Sequence, residues 1–298
     1  MEKTIFRIPE MLFLSPWRKD FRFFLKHYVG DLSEDANIEK MVDLLFSRKG
    51  LEGINAAFYR FEDINVTKDA DLVNIIKEKI LFSDRSLGAV FKIILESIAE
   101  ENGYDRFCSK FPMYLNFVPD LFQWHPDCKV LHITRDPRAI AMSKKNDPGG
   151  TGLRLKKHPK LKLLFKEMNV VSVVVQYIWS SRMHKRYQRD FPNYRHLQYE
   201  DLLQDPENVW KDVCAFIEID FRQDMLNLEK GDHDHQPSSH TLKRVREIDP
   251  SAGVRWKNII NPVESAFVSR MTAGSMKRFE YLSTDHPIFL NSLPKKNQ

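Results

Sequence analysis

The stretch Lys129-Val130-Leu131-His132-Ile133-Thr134-Arg135-Asp136-Pro137-Arg138-Ala139-Ile140-Ala141-Met142-Ser143 decides how the rest of this chain is read. Lys129–Thr134 is a short apolar run and reads as a buried strand. Asp136 suits a helix N-cap and Pro137 the first helical position, so strand, tight turn and helix follow one another. The loop Lys144–Gly152 closes that helix. In open α/β sheets ligands gather beyond the carboxyl ends of strands. Arg135 stands at such an end, next to a helix N-terminus whose free N–H groups and partial positive charge suit a phosphate. Ser143 lies about two turns further on, and the two side chains could hold one phosphate from two sides, the arginine through its bidentate fork. A second reading makes Arg135 a salt-bridged residue at the sheet edge and Ser143 a helix-surface residue. The residues alone leave both open.

Outward from this unit, helical patterns alternate with short strands. Residues 36–48 read as an amphipathic helix closed by Gly50, and 68–82 and 86–102 as two more. Residues 108–124 mix aromatic and aliphatic side chains around Pro112 and Pro119. A long helix over 163–189 contains Trp179, and 194–199 is a second short strand. Asp205-Pro206 starts a helix reaching about Phe216. Asn261-Pro262-Val263-Glu264 has the spacing of a capping box with proline at the first helical position. Strands separated by helices predict a parallel sheet with helices on its faces.

Composition sets the outer bounds. The chain has 298 residues, 42% hydrophobic and 29% charged, which excludes a disordered or fibrous protein. A net charge of +5 permits an anionic ligand without requiring nucleic acid. The aromatic residues lie within apolar stretches rather than between basic ones, which argues against nucleic-acid binding. Cys108, Cys128 and Cys214 cannot all pair, so a reducing, cytoplasmic setting fits better than a disulfide framework. All three read as buried small apolar residues. The run Val170–Trp179, interrupted by Ser172 and Gln176, reads as core rather than as a membrane span. The N-terminal stretch MEKTIFRIPEMLFLSPWRK lacks the layout of a signal peptide.

The central segment resembles the 3′-phosphate-binding segment of sulfotransferases that use 3′-phosphoadenylyl sulfate (PAPS). Three other stretches agree, in order. Ser109-Lys110-Phe111-Pro112, followed by PDLFQWHPDCKV, resembles the segment that precedes this strand in that family. Trp179 followed by HLQYEDLLQDPENVWKDVCAFI resembles its W…YEDL…dP stretch. Arg255-Trp256-Lys257 through Phe279-Glu280-Tyr281 resembles its W…L…GY ending. The resemblance covers roughly residues 105–282. It implies one α/β domain over 1–298 with a three-layer α/β/α architecture, a mostly parallel central sheet and a nucleotide-kinase-like, P-loop-like topology. Residues 1–104 would be its mostly helical N-terminal part and 283–298 a tail. It also implies transfer of a sulfuryl group from PAPS to a hydroxyl or amine of a small-molecule or carbohydrate acceptor. Arg135 and Ser143 would bind the 3′-phosphate, PAP would be the product, and no metal would take part.

The match departs from the family in its first half. The family's 5′-phosphosulfate loop is a Gly/Ser/Thr-rich turn after the first strand, whose N–H groups cradle a phosphate. The first strand candidate, Thr4–Leu14, ends instead in Ser15-Pro16-Trp17-Arg18-Lys19, where Pro16 removes a donor. Ser47–Gly53 follows a helix and reads as its C-cap. The simplest account is a chain lacking the family's first strand and loop, with Arg18 and Lys19 as partial substitutes. The alternative function is therefore a degenerate, non-catalytic member that keeps the 3′-phosphate half-site and binds a 3′-phosphorylated nucleotide or a partner.

Sulfuryl transfer needs a base for the acceptor proton and positive charge at the bridging oxygen. One branch of the family places a histidine base beside the position of Lys110. Here Phe111 follows, and it cannot serve, although Lys110 could stabilise developing charge. Another branch uses a glutamate, whose counterpart would lie near Asp20, Glu34 or Asp35. Relatives hold the cofactor with a His and a downstream Arg near residues 231–246. His240, as acid–base group, and Arg244 or Arg246, as cofactor contacts, are the matches. His233, His235 and His240 lack the partner pair that zinc spacing requires, so this loop reads as solvated. The basic run Arg154–Lys162 is a solvated segment or a contact for an anionic acceptor.

Overall fold

A computed structural model describes residues 5–8, 21–46, 70–110, 112–146, 162–227 and 248–281. The chain divides into two compact units, Met1–Cys128 and Lys129–Gln298. Among the described residues the fold is mainly helical α/β, with one small parallel sheet in each unit.

The first unit opens with strand β1 (Phe6–Ile8), inside the stretch where the sequence places its first strand candidate. β1 pairs in parallel with β2 (Phe107–Ser109), with Phe6 opposite Phe107 and Ile8 opposite Ser109. Ser15–Lys19 and Ser47–Gly53 lie outside the described residues. Helix α1 (Phe21–Phe24) runs into a wide turn, Leu25–Val29. Helices α2 (Asp35–Phe46), α3 (Ala70–Leu81) and α4 (Leu87–Glu101) follow close to their predicted positions. Each is helical for a visible reason. In α2, Ile38, Met41, Val42, Leu45 and Phe46 recur at three- and four-residue spacing and are all buried. Ser86 caps α4, its side chain accepting from the Ala89 N–H at 3.1 Å. The α3–α4 turn bends at Arg85, whose φ of 58° is left-handed. Its guanidinium is held by the Ser33 carbonyl at 2.6 Å and the Asp35 carboxylate at 2.6 Å. Gly88 permits a close approach, because a Cβ there would lie 2.5 Å from Trp124 Cγ. The short helical turn Pro112–Phe117 and α5 (Val118–Trp124) complete the unit.

The second unit is built on β3 (Val130–Thr134), α6 (Pro137–Lys145), α7 (Lys162–Asp190) and β4 (Tyr194–Gln198). β3 and β4 pair in parallel, with Val130 opposite Tyr194 and Thr134 opposite Gln198. Two further helices, α8 (Tyr199–Gln204) and α9 (Pro206–Ile217), follow directly. α10 (Pro262–Arg278) carries the predicted capping box, with Glu264 N–H donating to Asn261 Oδ1 at 2.8 Å. Ala139, Ala141 and Met142 of α6 pack with Val170, Val173 and Val174 of α7, Val268 of α10 and Trp256.

Three expectations need correction. β3 was predicted to be buried, but Ile133 is 54% exposed, because β3 pairs with β4 alone among the described residues. The run Val170–Trp179 is core on one face only. Val170, Val173, Val174 and Tyr177 are buried, whereas Val171, Val175 and Trp179 face outward, since a helix turns these alternate positions away from its partners. Of the cysteines only Cys214 is buried; Cys108 is exposed and Cys128 is half-buried.

Candidate functional site

The predicted strand–turn–helix is present, and its corner is the best-built polar feature of the second unit. Asp136 is the N-cap of α6, and its Oδ1 accepts from the Arg138 N–H at 2.8 Å. The same carboxylate takes the Arg138 guanidinium through both oxygens, Nε at 3.0 Å and a terminal nitrogen at 2.6 Å. Arg138 in turn lies over the Trp256 ring, 4.4 Å from its centre. A buried ion pair therefore closes the start of the helix. The two charges of this pair are matched inside the turn.

Arg135 is the last residue before this cap and is half-buried. A terminal nitrogen donates to the Ala252 carbonyl at 2.9 Å, and the guanidinium stacks 4.8 Å from the centre of the Tyr199 ring. No described residue forms an ion pair with it, so the salt-bridge reading finds no partner here. Its Nε is buried and has no hydrogen-bond partner. A buried guanidinium donor without a partner costs stability unless something accepts from it. The side chain is thus oriented from two sides and still has donor capacity left, as an arginine awaiting an oxyanion would. Ser143 is half-buried in the second turn of α6, on the same strand–turn–helix. Its hydroxyl has no hydrogen bond to a described residue.

Below the corner sits Glu200, buried at 1% exposure. Its Oε1 accepts the Asp136 N–H at 2.9 Å, and its Oε2 accepts the Tyr281 hydroxyl at 2.6 Å. Burial pushes the carboxyl above its ordinary value, partly against the lowering effect of these hydrogen bonds. Burial likewise raises the hydroxyls of Tyr177 and Tyr281. At the far end of α6, Lys145 is held by Glu264, the capping-box residue of α10, and by Glu167 at 2.9 Å. Burial works against its charge, but the two carboxylates prevail and raise its pKa.

Beside the corner, His132, His184 and His196 cluster around Phe279, with centroids 4.5 to 6.1 Å from one another. Burial lowers them, His132 to about 3, His184 to about 4 and His196 to about 3. They are neutral hydrogen-bonding residues. His132 bonds the Tyr194 hydroxyl at 2.5 Å and Ser180 at 3.1 Å, while His196 bonds Thr134 at 2.7 Å.

The remaining predicted residues are placed less tightly. Lys110 directly follows β2 in the first unit and is exposed. Asp35 is committed to Arg85, and Glu34 is exposed. Asp20, Arg154–Lys162, His240, Arg244 and Arg246 lie outside the described residues. Among the described residues no group of three His, Cys, Asp or Glu side chains could hold a metal ion, and no helix is long and apolar enough to cross a membrane. Arg138, Glu200, Trp256 and Tyr281 were not singled out for this corner from the sequence. One signal was available: a buried-strand pattern ending in Tyr199-Glu200, parallel to the strand ending in Arg135-Asp136.

A family model described as "Sulfotransferase family" matches residues 49–223, more than half of the chain. Among solved structures, the chain is similar to a sulfotransferase domain from the Synechococcus PCC 7002 olefin synthase. The identity is 18%, 79% of each chain is covered, and the TM-score is 0.47. A sulfotransferase domain from the curacin biosynthetic pathway is similar at 17% identity and a TM-score of 0.42, covering 79% of this chain and 83% of that one. No curated protein matches.

Proposed function

The chain belongs to the sulfotransferase family, and we propose that it moves a sulfuryl group from PAPS to a hydroxyl or amine of a small acceptor. The observation that carries this reading is Arg135: half-buried at the carboxyl end of β3, oriented by Tyr199 and Ala252, with a buried Nε that lacks an acceptor. An oxyanion fits that need, since the arginine fork matches a phosphate in shape and charge. In this reading Arg135 and Ser143 take the 3′-phosphate, and Arg244 and Arg246 add contacts to the cofactor. Lys110, exposed just after β2, would stabilise the charge that develops during transfer, with His240 as acid–base group. PAPS supplies the activated sulfuryl group. The protein's share is to orient the nucleotide and to stabilise charge, which is where most of such rate enhancement originates. The domain would be a single three-layer α/β/α unit with a mostly parallel central sheet. An odd number of cysteines supports a reducing, cytoplasmic setting.

Calorimetry with PAP tests the site. Arg135→Ala removes a charged, bidentate contact and is expected to weaken PAP binding by about 10- to 100-fold. Equal affinity for the two proteins would overturn the assignment. PAP release from PAPS by the wild type, measured with a panel of phenols, alcohols and amines together with formation of the sulfated acceptor, tests turnover.

A further inference from the structure

We propose that Glu200 is a positioning residue for Arg135, acting through the backbone of the β3–α6 turn; the inference rests on the 3′-phosphate reading of that arginine. The parallel register places Thr134 opposite Gln198, so the two strands end level with each other. The next two residues of each strand then meet as pairs. Tyr199 lies against the Arg135 guanidinium at 4.8 Å, and Glu200 accepts the Asp136 N–H at 2.9 Å. One dipeptide thus clamps the other, ring on guanidinium and carboxylate on amide.

The clamp is itself anchored. Tyr281 donates to the second carboxylate oxygen at 2.6 Å, and Gln198 donates to the Phe279 carbonyl at 3.0 Å, which ties the end of α10 to the end of β4. Gly253 brings its backbone against Glu200, since a Cβ there would lie 3.6 Å from Glu200 Cγ. The neighbouring Ala252 carbonyl is the one that receives Arg135. Among the described residues no cation pairs with Glu200, because Arg138 is committed to Asp136. A buried carboxylate without a cation is an expensive way to fill space. Its geometry accounts for it: from α8 the carboxylate reaches the amide that follows Arg135. A fixed amide at Asp136 holds the Arg135 backbone, and with it the direction of the fork. Angular control of this kind distinguishes a bidentate phosphate contact from a loose one.

The test compares PAP with AMP, which lacks the 3′-phosphate, on folded protein by calorimetry. The wild type should prefer PAP, and Arg135→Ala should lose most of that preference. Glu200→Ala should reduce the PAP-to-AMP preference by about tenfold while leaving AMP binding within about threefold, an angular effect rather than a lost contact. Glu200→Gln keeps an oxygen for the Asp136 N–H and should restore the preference. Glu200→Asp keeps the charge but falls short of the amide and should behave like the alanine variant, which covers the case in which Glu200→Ala does not fold. A variant that loses PAP and AMP affinity alike, or none, overturns the inference. Amide hydrogen exchange at Asp136 gives a ligand-free readout: faster in Glu200→Asp supports the peg, unchanged overturns it. If the wild type itself shows no preference for PAP, the functional reading falls, and exchange at Asp136 still decides whether Glu200 holds the turn.

Discussion

At the scale of single residues, the Asp136–Arg138 pair shows how a cap can become an ion pair. The aspartate satisfies one free N–H of α6 and at the same time takes two donors of a buried guanidinium. Replacing it by alanine removes the cap and leaves Arg138 buried without its counter-charge. Asp136→Ala is expected to destabilise the protein by about 3–5 kcal/mol, read from urea denaturation. Asp136→Asn keeps a cap oxygen and one acceptor for Arg138 and should cost less. Equal losses in the two variants would show that the charge, not the cap, dominates. Sequence reading found Asp136 as a cap and singled out Arg135 as a candidate ligand residue, because both follow from position along the chain. It could not find Arg138 as a buried partner, since a helix-surface arginine and a buried one look alike until Trp256 arrives from 118 positions away in the chain.

At the scale of elements, the end of α10 carries a local conflict. Tyr281 N–H bonds the Met276 carbonyl at 2.8 Å and Glu280 N–H bonds the Lys277 carbonyl at 3.1 Å, the paired pattern that ends a helix with a left-handed residue. That residue is Glu280, at φ 62°. The family ending to which this segment is similar carries glycine at this point. Glu280→Gly should therefore stabilise by up to about 1 kcal/mol, measured as a rise in the denaturation midpoint at unchanged slope. A loss of stability would show that the glutamate side chain makes a contact worth more than the strain. The turn matters beyond its own energy, because it delivers Phe279 to the histidine cluster and Tyr281 to Glu200. The periodicity of α2, α3, α4 and α9 was legible in the sequence because each packs one apolar face. α7 was legible in extent but not in burial: apolar residues occupy both its faces, so no period tells which face meets the core.

At the scale of the whole molecule, pH acts through two sets of buried groups. His125, His132, His184 and His196 are all lowered, chiefly by burial, from an ordinary value of 6.5. A lowered group contributes stability that is complete above 6.5 and is lost as pH falls toward its folded value, because the unfolded chain takes up the protons first. Tyr177, Tyr194 and Tyr281 are raised from 10.0 by burial, so their contribution is complete below that value and declines above it. Glu200, raised from 4.5, works against the histidines only near and above that value. The melting temperature should therefore be highest between about pH 7 and 9 and fall on both sides, with the acid fall beginning near pH 6. A curve flat from pH 7 to pH 4.5 would show that the three clustered histidines are not held neutral in solution.

The sequence by itself determined the order of helices and strands, the strand–turn–helix of residues 130–145, its cap and the two candidate phosphate ligands. These follow from rules acting over a few neighbouring residues: apolar period, capping chemistry and the place of a basic side chain at a strand end. Only the tertiary structure decided which surfaces are buried and what holds Arg135. Glu200, Ala252, Trp256 and Tyr281 reach the turn from positions 60 to 150 residues away, and burial of a charge or an orphaned Nε exists only once those segments have met. Short-range pattern specifies an element; the dielectric, the partners and the direction of its side chains are set by whatever packs against it.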